Sequence, residues 1–150
     1  MKRQTYIAHG RLASREIRLD AARRHRHGIQ VMGFEQLAAR LAGGFAQAID
    51  AEMLRDAIQK ALPETDLGEL DAIKLLPGMT GAAADTLHKV WRTGIDLSSR
   101  AGNHPRLDAL ATLEQAVLER LPSSMLRPVD LASQAIARLC HAPALFGEIE

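Results

Sequence analysis

Apolar positions along the chain follow two different periods. Near the amino end, short runs suited to buried strands at residues 6–8 and 28–34 flank a helix-forming segment. From residue 50 onward, apolar residues recur at three- and four-residue intervals almost throughout, which is typical of amphipathic helices. The pattern predicts a mostly α fold, a multi-helix domain with two or three short parallel strands at its amino end.

Breakers and caps place the predicted helices. Ser14 is expected to cap a helix that runs to about residue 25, and Asp50 to cap one that Pro63 ends. Pro105 suits the first position of a long helix after a loop at residues 98–105. Further helices are predicted over residues 34–42, 67–76, 83–93 and 129–140. The apolar face of the last one is formed by Ala132, Ala135, Ile136 and Leu139. Residues 146–149 suit another strand.

The composition is that of an ordinary globular protein. The chain has 150 residues, which is enough for one domain with a real core, and 47% of them are hydrophobic. The single cysteine, Cys140, excludes an internal disulfide and suits a reducing compartment. No apolar signal region follows the basic residues at the amino end, and no run suits a membrane span. We therefore expect a cytoplasmic protein with no membrane partner.

The formal net charge of +1 hides an asymmetry. Residues 1–28 contain eight basic and two acidic residues, whereas residues 29–150 contain 11 basic and 16 acidic residues. The two parts therefore carry +6 and −5. A basic amino end on an acidic body favours a polyanionic partner, a complementary subunit, or a fold-back onto the protein's own acidic surface.

The stretch from Thr5 to Ile17 begins as a phosphate-binding loop would, with a strand, a glycine and a helix-forming segment. A loop of the form GxxxxGK[ST] needs lysine to neutralise the phosphates and a hydroxyl to hold magnesium. Counted from Gly10, the decisive positions hold Arg15, Glu16 and Ile17. Because a carboxylate in place of lysine repels phosphate, we interpret Gly10 as a tight turn in a degenerate loop. No cofactor is expected.

Other catalytic and metal-binding patterns are missing from the sequence. PD-(D/E)xK nucleases need Asp or Glu two residues before Lys, and none of the lysines here meets that requirement. The histidines are dispersed, and Cys140 is interpreted as a packed core cysteine. We therefore predict no catalytic residue and no metal site in this segment. A separate hypothesis stays open, that the protein is an enzyme which binds nucleotide in an unorthodox way at Gly10.

Four arginines suggest a nucleic-acid contact. On a regular helix Arg11, Arg15, Arg18 and Arg26 fall within an arc of roughly 80°. Their guanidinium groups would pair with successive phosphates of a nucleic-acid backbone. The alternative is a solvated face, or ion pairs with the acidic helices. No aromatic residue is interleaved with these arginines, so base stacking is not predicted.

Three stretches carry a resemblance to a known family: GIQVMGFEQLAARLAGGF (28–45), LGELDAIKLLPGMTGAAADTLHKVWRTGIDL (67–97) and HPRLDALATLEQAVLERLP (104–122). They resemble the amino-terminal region of bacterial PD-(D/E)xK nuclease-family proteins akin to the AddB-type subunit of helicase–nuclease complexes in double-strand break repair. The most distinctive pieces are residues 76–79, 91–92 and 104–107. None of them is a catalytic motif.

The resemblance implies an organisation for the chain. Such proteins resemble superfamily 1 helicases whose first strand and loop have lost the nucleotide machinery, and their nuclease lies far beyond residue 150. Residues 1–45 would form a degenerate helicase-like βαβ element from an incomplete α/β sheet. Residues 46–150 would form a helical insertion-type subdomain packed as one unit.

These observations lead to two rival expectations. The first is a non-catalytic amino-terminal segment of a helicase-like, nuclease-associated DNA-repair protein, which scaffolds and contacts DNA. Its partners would be DNA and either the remainder of its parent chain or a helicase-type partner subunit. The alternative is a helical protein-interaction module that docks a partner subunit through the apolar stripe of Met53, Leu54 and Ile58.

Overall fold

The protein, seen in a computed structural model that describes residues 4–102 and 104–141, is mostly helical, as its apolar pattern predicts. The elements in those residues are β1 (Gln4–Ile7), α1 (Gly10–Arg23), β2 (Ile29–Met32), α2 (Phe34–Leu41), β3 (Gln47–Ala48), α3 (Ala51–Ala61), a 3-10 turn (Gly68–Leu70), α4 (Met79–Thr93), α5 (Pro105–Leu118), β4 (Met125–Leu126) and α6 (Pro128–His141). The strand predicted at residues 146–149 lies outside the described residues.

The chain divides into two compact units. Unit 1 comprises the described parts of Met1–Gln47 and Leu131–Glu150, and unit 2 comprises Ala48–Asp130. The first boundary lies close to the one expected after residue 45. The second differs from the expectation of a single helical unit over residues 46–150, because the chain from Leu131 onward groups with the amino-terminal part. One contact within this grouping is a hydrogen bond from Arg138 Nη1 to the carbonyl oxygen of Ala42, at 3.2 Å.

Unit 1 is built on a strand–helix–strand motif. β1 and β2 are parallel, with Gln4 opposite Ile29 and Ile7 opposite Met32, and α1 connects them and packs against β2. This confirms the parallel strands expected at the amino end. Since opposed residues of a sheet share a face, the side chains alternate between two faces along each strand. Gln4 and Tyr6 therefore lie on one face of the pair.

Unit 2 is a helical cluster with one core, in which α3 packs against both α4 and α5. As predicted, Asp50 caps α3, and its Oδ1 accepts hydrogen bonds from the backbone N–H groups of Glu52 at 2.9 Å and Met53 at 2.8 Å. The prediction that this helix docks a partner through its apolar stripe is wrong, because Leu54 and Ile58 are only 2% and 0% exposed. The neighbouring helices cover that face of α3.

The helix predicted over residues 67–76 does not form. Only Gly68–Leu70 makes a single 3-10 turn, and successive turns follow it. Gly68 has a φ of +57°, a left-handed conformation that a regular α-helix does not include. The Oδ1 atom of Asp71 also accepts a hydrogen bond from the backbone N–H of Leu67 at 3.0 Å, and such local side-chain bonds compete with a helix.

Helix α6 turns inward part of the face that its sequence predicts, but Ile136 does not lie on the buried part. Leu131 and Ala135 are buried, whereas Ile136 is 61% exposed and Cys140 is exposed rather than packed in a core. The apolar residues of this helix spread over more than one face. The periodicity therefore predicted the helix and the burial of Ala135 correctly, and the burial of Ile136 wrongly. The separate interpretation of Cys140 as a core residue is also wrong.

Candidate nucleic-acid interface

The strand-to-helix turn at Gly10 is tighter than a phosphate-binding loop. β1 ends at Ile7 and α1 begins at Gly10, whose φ of +85° suits glycine. Ser14, predicted to cap the helix, lies within it and donates its hydroxyl to the carbonyl oxygen of Gly10 at 3.0 Å. His9 occupies the N-cap position instead, so the helix begins four residues before Ser14.

The residues that test the degenerate loop all lie inside α1. In a phosphate-binding loop, the four spacer residues come before the helix and curve around the phosphates. Here the spacers, residues 11–14, form the first turn of the helix. Arg15 and Glu16 are exposed and Ile17 is half-buried on the following turn. These residues are therefore positioned as side chains of a helix and not as the end of a loop.

Arg26 does not join the other three arginines. Helix α1 ends at Arg23, and His25 adopts a left-handed conformation with φ of +50°, which reverses the chain. Arg26 then reaches back to β1, where its Nη2 donates to Gln4 Oε1 and to the Tyr6 hydroxyl, both at 2.9 Å. Its guanidinium carbon lies 5.9 Å from the centroid of the Tyr6 ring. The prediction of a four-arginine stripe is wrong at this position, because it assumed a helix that continues past Arg23.

Arg11, Arg15 and Arg18 do share one side of α1, within an arc of about 60°. We call these three residues the arginine face. Arg11 and Arg15 are exposed, and within the described residues neither makes an ion pair or a side-chain hydrogen bond. The Nη2 atom of Arg18 donates to the carbonyl oxygen of Val31 at 3.2 Å. The arginine face therefore lies on the side of the helix that borders β2.

An aromatic side chain lies at the same edge of the strand pair, although no aromatic residue is interleaved with the arginines in sequence. The backbone N–H of Ala8 donates to the carbonyl oxygen of Met32 at 3.0 Å, so both strands end at one edge. α1 begins just past that edge at Gly10, and α2 begins there at Phe34, which is 65% exposed. The signal in the sequence is that each of the two strands is followed by a glycine and then a helix. Only the parallel register shows that the two helix starts are neighbours.

The two units carry charge of opposite sign. The sequence of unit 1 contains ten basic and five acidic residues, whereas that of unit 2 contains nine basic and 13 acidic residues. Formal net charges of +5 and −4 follow, which add to the +1 of the whole chain. A phosphate backbone is attracted to the first sign and repelled by the second.

Unit 2 contains an open groove of about 1170 Å³ whose lining is acidic. Its charged lining residues are Glu64, Asp66, Asp96, Glu114, Glu119, Asp130, Arg120 and Arg127. The carboxylate of Asp130 accepts from Arg127 Nε at 2.6 Å and raises the pKa of that guanidinium above its ordinary value. In Asp96, a hydrogen bond from the Ser98 hydroxyl lowers the pKa of the carboxyl. This groove does not have the charge to hold a nucleic acid.

A smaller cavity of about 270 Å³ lies in unit 1 between α1 and the strands. Ile17, Ala21 and Ile29 supply its apolar lining, and Glu16 and Asp20 bring carboxylates to it. Asp20 is already paired with Arg24, 2.9 Å away. Since both acids repel phosphate, this cavity does not extend the arginine face.

Comparison with known proteins identifies no relative of this chain. No protein-family model, no curated protein and no solved structure matches it. The resemblance to AddB-type proteins therefore stays a prediction. In the described part of the chain, no three His, Cys, Asp or Glu side chains are grouped as metal ligands, and none of the helices there is long and apolar enough to cross a membrane.

Proposed function

We propose that this chain is the non-catalytic amino-terminal segment of a helicase-like, nuclease-associated DNA-repair protein, and that unit 1 contacts the DNA backbone. The observation that carries the proposal is the exposure of Arg11 and Arg15, one helical turn apart and without side-chain partners in the described residues. The resemblance of residues 28–122 to AddB-type proteins supplies the biological setting. The parallel strand–helix–strand motif is compatible with a helicase-like origin.

The chemistry of the arginine face suits phosphate. A guanidinium offers planar N–H groups that pair with two phosphate oxygens at once, and it stays charged at any physiological pH. Arg11 and Arg15 extend from a helix that is fixed to β2 through Arg18, so their backbone positions are set before any ligand binds. The net positive charge of unit 1 adds a longer-range attraction for polyanions.

The non-catalytic part of the proposal depends on the degenerate loop. Glu16 stands where a phosphate-binding loop has its lysine, and Ile17 stands where the loop has its magnesium-binding hydroxyl. Both residues lie inside α1. Titration of the protein with Mg-ATP is expected to produce no binding heat. Saturable heat from a site that Gly10→Val abolishes would contradict this part.

A neutralising double variant, R11Q/R15Q, tests the DNA contact. DNA affinity is expected to fall, and the slope of log affinity against log salt concentration to become shallower by roughly 1.5, since each lost phosphate contact removes about 0.7 to 0.9. The matched control is R55Q/R106Q, which removes the same charge from exposed arginines of unit 2. Equal effects of the two double variants, or none from either, would overturn the proposed contact.

A second candidate function, docking of a partner subunit, is favoured by one apolar surface. Ile73, Leu75 and Leu76 are 42%, 71% and 57% exposed. Between them Lys74 is turned inward, and its Nζ donates to the carbonyl oxygen of Thr65 at 2.8 Å and contacts Asp71 Oδ1 at 2.9 Å. The polar side chain is held against the protein while the aliphatic ones face water. This segment replaces the buried stripe of α3 as the place for a protein contact.

The double variant L75S/L76S tests this docking surface. If unit 2 binds a helicase-type partner subunit here, the variant loses the partner in size-exclusion chromatography with light scattering while R11Q/R15Q retains it. Ile95→Ser is the matched control, because Ile95 is also exposed, at 39%, and lies elsewhere in unit 2. A complex that withstands L75S/L76S would remove this candidate.

A further inference from the structure

Phe34 lies near the Arg18 end of the arginine face. Arg18 contacts the carbonyl oxygen of Val31, and Phe34 follows Val31 by three residues, a chain distance of at most about 10 Å. From Arg18 the arginine face runs toward the start of α1 at the edge where both strands end. A strand of nucleic acid that followed the three arginines would therefore pass close to Phe34.

A contact with phosphates alone does not explain why the side chain of Phe34 is exposed. It is the first residue of α2 and keeps 65% of its surface in water, although burying an aromatic side chain is strongly favourable. An aromatic face is a stacking platform for any nucleobase. In a duplex, each base already stacks on its neighbours and pairs within the helix. In a single strand, bases are free to turn toward such a platform.

We infer that unit 1 takes single-stranded nucleic acid, with phosphates along the arginine face and a base stacked on Phe34. The inference rests on the proposed function, since it presupposes the backbone contact, and it adds the class of nucleic acid and the residue that selects it. Arg11 and Arg15 supply attraction without regard to strand form. Phe34 supplies the preference, because only an unpaired base has a free face to offer.

The other aromatic residues of the described chain do not fit this role. Trp91 is buried in unit 2 at 1% exposure. Tyr6 is half-buried and carries the guanidinium of Arg26 over its ring. Phe45 is 90% exposed but follows the opposite end of α2 from Phe34. Phe45 therefore offers a matched control, an exposed phenylalanine of the same unit at a different place.

Three 12-mer probes test the inference: a thymidine single strand, a duplex of mixed sequence, and an abasic single strand. Phe34→Ala is expected to weaken binding of the thymidine strand by about 5- to 150-fold, the range found for loss of one stacked base. Its binding of the duplex and of the abasic strand should stay as in the wild type. Phe34→Trp should retain thymidine binding, and Phe45→Ala should leave all three affinities unchanged. Circular dichroism of each variant checks that the overall helix content is unchanged.

The outcomes separate this inference from the proposed function. If R11Q/R15Q weakens all three probes and Phe34→Ala weakens none, the backbone contact stands and base stacking at Phe34 is refuted. If the wild type binds the duplex as tightly as the thymidine strand, the preference for single strands is refuted as well. If R11Q/R15Q has no effect on any probe, the proposed function fails first.

Discussion

The indole Nε1–H of Trp91, on α4, donates to Oε1 of Glu114, on α5, at 2.5 Å. Both residues are buried, and the same carboxylate oxygen accepts from Arg127 Nη1 at 3.3 Å. A buried carboxylate is costly unless its charge is paired, and here one donor is neutral and the other is cationic. Glu114 therefore joins two core helices through a polar contact, which explains how a charged residue is tolerated in this core.

Removal of that carboxylate is expected to destabilise unit 2. Glu114→Ala leaves the Trp91 N–H without its acceptor and Arg127 without one of its two acidic partners, and it should lower the free energy of unfolding by about 3 kcal/mol. Glu114→Gln keeps an acceptor for the indole, so its cost should be about 1 kcal/mol. Urea unfolding followed by the fluorescence of Trp91, the one tryptophan of the chain, measures both. Glu119→Gln is the control, with an expected change within about 0.5 kcal/mol. A Glu114→Ala protein as stable as this control would contradict the assigned role.

Asp71 is expected to give unit 2 a stability that depends on pH. A hydrogen bond from Lys74, followed by one from the Leu67 N–H, lowers the pKa of the Asp71 carboxyl below 3.8. A depressed pKa in the folded state stabilises the fold above pH 3.8, and this contribution disappears as pH falls through the folded value. Asp71→Asn should therefore unfold at lower urea concentration than the wild type at pH 7. The two proteins should converge at pH values below the depressed pKa, and a constant difference across the whole range would argue against an ionic origin.

Two glycines at opposite ends of α4 are expected to respond oppositely to the same substitution. Gly94 ends the helix with φ of +68°, a left-handed conformation that costs a residue with a Cβ about 1 to 2 kcal/mol. Its added methyl group would lie 3.5 Å from Val129 Cγ2, an ordinary contact, so the cost is conformational. Gly81 lies in the first turn of the helix with nothing within 4 Å of a built Cβ. Gly81→Ala should stabilise unit 2 by about 0.5 to 1 kcal/mol, whereas Gly94→Ala should destabilise it. Changes of the same sign in urea unfolding would show that the helix ends elsewhere in solution.

The cap of α3 is expected to be a measurable part of the stability of unit 2. Asp50→Ala removes the acceptor of two backbone N–H groups and should cost about 1 kcal/mol. Asp50→Asn retains a capping oxygen and should cost less than half as much. Asp56→Ala, in the middle of the same helix, is the control for simple loss of a negative charge. If Asp50→Ala and Asp56→Ala gave equal unfolding midpoints, the cap would have no special value.

The elements that could be predicted are those whose signals are local. Asp50 and Pro105 begin their helices where the sequence places them, because a cap and a fixed φ act within one turn. Gly94 ends α4 for the same kind of reason. The prediction that the apolar residues of α3 share one face of the helix was also correct. The prediction that this face docks a partner was wrong, because periodicity shows which residues avoid water and cannot tell a core from an interface.

The features that were missed depend on contacts between distant residues. The position of Arg26 is set by Gln4 and Tyr6 on β1 after a left-handed residue that no helical pattern reveals. The nearness of Phe34 to the arginine face depends on strand register, which links residues more than 20 positions apart. The exposure of Ile136 on α6 depends on what the rest of unit 1 covers. In each case the decisive information is tertiary.

The side chain of Arg18 also covers one edge of the two-stranded sheet, the outer edge of β2. Because Met32 uses its carbonyl toward β1, the carbonyl of Val31 points to the outer side of β2, where the guanidinium of Arg18 already occupies it. On β1 the backbone N–H groups of Gln4 and Ala8 point inward, so those of Thr5 and Ile7 point outward, and both residues are exposed. A further strand that paired with this sheet through its backbone would therefore add beside β1, where the N–H groups point outward, and not beside β2.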